Sequence, residues 1–140
     1  MSEQNKAIAN RFVLEVLNTN SLDRLGEFFA ADFVEHAAPP GIPANVEGVK
    51  MFFGMLHGAF PDFHYTIEDS IAEGDMVVQR ATGHGTMKGP IFGMPATGKS
   101  AAWSEIHISR FANGKIAEHW ANVDQLGMLQ QLGLAPMPGG

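Results

Sequence analysis

Apolar positions change period once along this chain, and the change divides it into two kinds of structure. In residues 4–18, Ile8, Phe12, Val13, Val16 and Leu17 recur at helical spacing, which predicts an amphipathic helix. Asn20 or Ser21 can cap a second, short helix running to about Phe29, with Leu22, Leu25, Phe28 and Phe29 apolar. Phe33 to His36 reads as a short strand, and Pro39, Pro40, Gly41 and Pro43 then force a loop. Asn45 can cap a third helix with Val49, Phe52, Phe53 and Leu56 as its apolar stripe, ending before Gly58 and Pro61. Beyond residue 62 the period becomes two. FHYTIEDSIAEGD and MVVQRATGHGTMKG read as two arms around the turn Glu73-Gly74-Asp75. AAWSEIHISRF and KIAEHWANV alternate on either side of Asn113-Gly114, a strong hairpin signal. A last helix is expected from about Gln125 to Leu132, stopped by Gly133.

Helices first and an antiparallel meander afterwards predict an α+β fold over residues 1–140 as one domain. The curved antiparallel sheet would wrap over the N-terminal helices as a cone-shaped barrel with one open end. Alternate residues of several strands would line the hollow, and the other sheet face would be free to meet a second subunit.

Composition narrows the function. At 140 residues the chain suits a single core, and a net charge of -6 argues against nucleic acid or an anionic membrane as partner. With no cysteine, thiolate catalysis, disulfides and Cys-ligated zinc are excluded. The N-terminal residues are too polar for a secretory signal, and no apolar run approaches the roughly 20 residues needed to span a bilayer. A cytoplasmic protein is expected. The stretch Gly93-x-x-x-x-Gly98-Lys99-Ser100 matches the pattern of a phosphate-binding loop. That loop must open a helix, whereas Ser100 opens an alternating strand, so the match is rejected.

Chemistry concentrates on the last two strands. One face of the first carries Trp103, Glu105, His107, Ser109 and Phe111. One alternation of the second carries Ile116, Glu118, Trp120, Asn122 and Asp124; the other carries Ala117, His119, Ala121 and Val123. Aromatic bulk mixed with ionisable groups suits a small-molecule pocket, equally a solvated sheet face, and a one-residue bulge would exchange the two sets. Asp124, at the seam between strand and helix, has two readings. It is either an N-cap, accepting from the backbone of Leu126 or Gly127, or a general base at a pocket rim. His36 precedes the proline loop and stands where a pocket mouth would be. The six histidines, 36, 57, 64, 84, 107 and 119, form no HExxH or His-x-His motif, so no metal site is expected.

The pieces FVEH (33–36), AFPD (59–62), EGDMVVQR (73–80), PATG (95–98), RFANGKIAEHW (110–120) and QLG (131–133), taken in this order, resemble the SnoaL-like polyketide cyclases. These ester cyclases belong to the nuclear-transport-factor-two-like superfamily. The resemblance implies the cone-shaped fold, often dimeric through the sheet, and acid/base chemistry without a cofactor. It implies an aspartate that removes a proton α to a carbonyl, after which the enolate closes a ring by aldol addition. Asp124 is best placed for that role, with His107 and His119 as proton relays. Trp103, Trp120 and His36 would shape the pocket, with Glu105, Asn122, Phe52 and Met55 as further substrate contacts. The expected partners are a small apolar or aromatic molecule and a second copy of the chain. Two other readings stay open at this point: a non-catalytic binder of a small ligand, and a packed dimer without a cavity. A hydrolase, dehydratase or isomerase would use the same pocket.

Overall fold

The computed structural model describes residues 2–136; Met1 and residues 137–140 of the expected domain lie outside the described residues. Helix α1 (Ser2–Phe12) continues directly into a π-helical turn over Val13–Leu17 and is followed by a 3-10 turn, Leu22–Glu27. Strand β1 (Phe29–Glu35) starts four residues earlier than its apolar pattern predicts. Helix α2 (Val46–Ala59) is capped as expected, the Asn45 side chain accepting from the Gly48 N–H at 3.0 Å. Four long strands follow: β2 (His64–Glu73), β3 (Met76–Thr86), β4 (Ser100–Ala112) and β5 (Lys115–Val123). Helix α3 (Gln125–Leu132) is the last element among the described residues.

The sheet order is β1-β5-β4-β3-β2. Strands β2 to β5 form the expected antiparallel meander; β1 pairs with β5 in parallel, so the sheet is mixed. It curves without closing, and α1 and α2 pack into the concave side. The core there is strongly aromatic, with Phe12, Phe28, Phe29, Phe33, Phe53, Phe60 and Phe63 buried beside Val16, Leu25 and Leu56. Ser100 does open a strand, as the rejection of the phosphate-loop match requires.

Two bulges set which residues face inward. In β2, Ile67 pairs with Ala81 and Asp69 with Arg80, leaving Glu68 as the extra residue. In β5, Ile116 pairs with Phe111 and Glu118 with Arg110, leaving Ala117 extra. Ile116 and Ala117 are consequently both buried, and from there His119 and Ala121 face the concave side.

Candidate active site

Strand β4 presents Trp103, Glu105, His107, Ser109 and Phe111 to the interior, the face its alternation selects. Trp103, Glu105 and His107 border a cavity of about 700 Å³ between the sheet and α2. Its walls are largely apolar: Phe52, Phe53 and Leu56 from α2, Phe60, and Met128 and Leu132 from α3. The proline loop (Ala37 to Pro43) and the loop around Phe92 form its rim. Helix α3 is fastened over the opening by Gln131, whose side-chain amide accepts from the Ala102 N–H at 2.9 Å and donates to its carbonyl at 2.8 Å.

One wall is polar and continuous. Glu105 Oε2 accepts from the Trp103 indole at 2.6 Å, and its Oε1 accepts from the Tyr65 hydroxyl at 3.0 Å. The same Oε1 lies 2.6 Å from His107 Nε2. His107 Nδ1 is 2.9 Å from His119 Nε2, and His119 Nδ1 is 2.6 Å from Glu35 Oε2. That oxygen also accepts the Ala37 N–H at 3.1 Å. Residues from three strands, β1, β4 and β5, thus form one chain, Glu35–His119–His107–Glu105, with Tyr65 of β2 and Trp103 at its far end. All six side chains border the cavity.

The chain's proton content follows from its connectivity. Three hydrogen bonds join four groups, and each needs one shared proton. Two neutral imidazoles bring two. The four groups therefore hold one further proton, and with two carboxylates they carry a single negative charge. Burial pushes the His119 imidazole below its ordinary range, although the bond to Glu35 works against this. Burial, and then the Glu105 charge, push the Tyr65 phenol well up, so it stays a neutral donor to Glu105.

The expected residues divide into two groups. His107, His119, Trp103, Glu105, Asn122 and Phe52 border the cavity. Asp124, His36, Trp120 and Met55 do not. Asp124 is exposed and is the N-cap of α3, its Oδ1 accepting from the Gly127 N–H at 2.9 Å; the rim position is corrected to the capping position. Trp120 and His36 stand on the outer sheet face, stacked at 4.8 Å, with His36 also 2.8 Å from Glu118. The reason is the extra Ala117, which turns Glu118 and Trp120 outward and His119 inward. Met55 is partly buried against the core instead.

Two polar wall residues were not anticipated, Glu35 and Tyr65. Glu35 had a signal. In FVEH, Phe33 is buried and Val34 exposed, so alternation carries Glu35, not His36, inward. Tyr65 likewise falls on the inward phase of β2. Among the described residues, no three His, Asp or Glu side chains are grouped to hold a metal ion.

A family model described as SnoaL-like polyketide cyclase matches residues 7–132. The chain belongs to the SnoaL-like polyketide cyclase family. It is 31% identical over 127 residues to aklanonic acid methyl ester cyclase DnrD of Streptomyces peucetius, an alignment covering 88% of this chain and 87% of that protein. Among solved structures, TsrD of Streptomyces laurentii superposes with a TM-score of 0.85 at 26% identity, over 95% of this chain and 97% of that one. IdmH of Streptomyces antibioticus superposes with a TM-score of 0.81 at 32% identity, over 93% and 99%. The SnoaL-like match thus runs from within α1 to the end of α3.

Proposed function

We propose that this protein is a cofactor-free polyketide ester cyclase, closing a ring by intramolecular aldol addition inside the cavity. The observation that carries this reading is the Glu35–His119–His107–Glu105 chain in the wall of an apolar hollow. Enolate formation needs a base beside an acidic C–H and a water-poor site in which proton positions are fixed beforehand. A chain whose protons are already shared supplies that, and flat aromatic walls hold a planar polyketide.

The cavity charge supports an ester over a free acid. Among the described lining residues there is no lysine or arginine, while Glu35 and Glu105 are both present. A substrate carboxylate would be desolvated beside a chain that is already negative, without a cation to pair with. A relative's substrate, aklanonic acid methyl ester, is a neutral ester and serves as the first probe. In ring-closure assays with it, His107→Gln is expected to lose at least about a hundredfold in turnover, the scale of general acid/base catalysis, with its circular dichroism unchanged. Unchanged turnover would refute the reading. Saturable binding by wild type without chemical change would make the protein a binder instead.

A homodimer acting in the cytoplasm belongs to the same proposal. On the outer sheet face, Ile71, Val78, Ile108 and Trp120 are successive partners across β2, β3, β4 and β5, an apolar row on the side away from the helices. Ile71 is 64% exposed at its end. Among the described residues no helix is long and apolar enough to cross a membrane.

A further inference from the structure

The cyclase reading leaves open which atom touches the substrate hydrogen, and the hydrogen-bond pattern selects among the candidates. Both ring nitrogens of His107 are engaged, one by Glu105 and one by His119. Both ring nitrogens of His119 are engaged, by His107 and by Glu35. Glu105 is 5% exposed, and each of its oxygens is occupied. Glu35 differs. Its Oε2 accepts twice, from Ala37 and His119, and among the described residues its Oε1 takes no hydrogen bond. Its side chain is 12% exposed, and it borders the cavity beside the proline loop.

We infer that Glu35 is the catalytic base of this site, with its free Oε1 as the proton-accepting atom. This rests on the cyclase reading of the cavity. His119, His107 and Glu105 are positioning residues: they anchor Oε2, which leaves Oε1 free for a bound molecule. The steps balance within one substrate. A lone pair of Oε1 forms an O–H bond to the hydrogen α to the ester or ketone carbonyl. The C–H electron pair becomes the enolate. The enolate carbon then adds to a ketone carbon of the same molecule, forming the new C–C bond, and the ketone π pair moves to its oxygen. That alkoxide takes the proton back from Glu35, restoring the carboxylate. Substrate and product are isomers, so no co-reactant is required.

Chemical rescue separates a base from a support. Deuterium exchange at the α carbon of aklanonic acid methyl ester in D₂O, together with ring closure, would be followed for wild type, Glu35→Gln, Glu35→Ala and His119→Gln. Glu35→Gln keeps the shape and an acceptor for His119, so it guards against loss through misfolding. The expected result is a loss of at least about a hundredfold in both Glu35 variants. In Glu35→Ala, activity returns in proportion to added acetate and less with the weaker base formate, while His119→Gln loses less than either. Exchange by Glu35→Gln within about twofold of wild type would overturn the assignment and leave the cyclase reading standing. So would Glu35→Ala insensitive to acetate and no worse than His119→Gln. Wild type unable to exchange or cyclise the ester would overturn the cyclase reading and this inference with it.

Discussion

A carboxylate's neighbours decide what it can do, and this molecule holds instructive contrasts. Asp124 lies between β5 and α3, is exposed and bonds the first turn of α3. Replacing it by alanine should lower stability by about 1 kcal/mol, the usual worth of an N-cap, read as a fall in the urea midpoint at unchanged slope. Glu105 sits among a tyrosine, an indole and an imidazole with every oxygen used. Its inward face was legible, because β4 alternates without interruption. The role of Asp124 was not, because an acid at a strand–helix seam has the same sequence signature as a cap and as a rim base. His119 supplies a prediction of its own. Burial lowers its folded-state affinity for protons, whereas in the unfolded chain it titrates near the ordinary value of about 6.5. Below that pH the unfolded state binds more protons, so this contribution to stability is present above about pH 6.5 and is lost as pH falls. Urea unfolding should show a smaller free energy at pH 5 than at pH 7.5, with part of the difference removed in His119→Gln.

At the scale of elements, one extra residue matters more than any single side chain. Without the bulge at Ala117, the alternation of KIAEHWANV would put Glu118 and Trp120 in the cavity; with it, His119 meets His107 and Glu35. Bulges leave little trace in a period-two pattern, so the two alternations of β5 could be written down but not chosen between. The adjacent small and apolar pair Ile116-Ala117, both buried, is the one local hint. Deleting Ala117 removes the extra residue while Glu118 keeps its place opposite Arg110, so His119 should still face the cavity; the local twist of the bulge and a buried side chain are lost, which should lower the melting temperature by several degrees. Ala117→Ser, which keeps the bulge, should leave the melting temperature near that of wild type. The parallel pairing of β1 was equally hidden, since a strand's own pattern does not state the direction of its neighbour.

For the whole molecule, the sheet separates two apolar surfaces with different uses. The concave one holds the cavity and Trp103; the convex one holds Ile108 and Trp120. If the convex row pairs two copies, Ile108→Asp should convert a dimer to a monomer in light scattering, because a charge at the centre of an apolar contact is left without a partner. A wild-type monomer at micromolar concentration would refute that assembly. Fold class, element order and the face of β4 could be derived from residue pattern alone, because long alternating strands and capped helices are local signals. The cavity's far wall could not, since Glu35 and Tyr65 reach it from strands 70 and 40 residues from Glu105 along the chain. The central claim is that the wall chain, not the exposed aspartate, does the acid/base work. Its most direct test is kcat/KM for ring closure of aklanonic acid methyl ester, measured side by side for Glu35→Gln and Asp124→Asn. The account predicts a loss of at least about a hundredfold in the first and wild-type turnover in the second; the opposite order would contradict it.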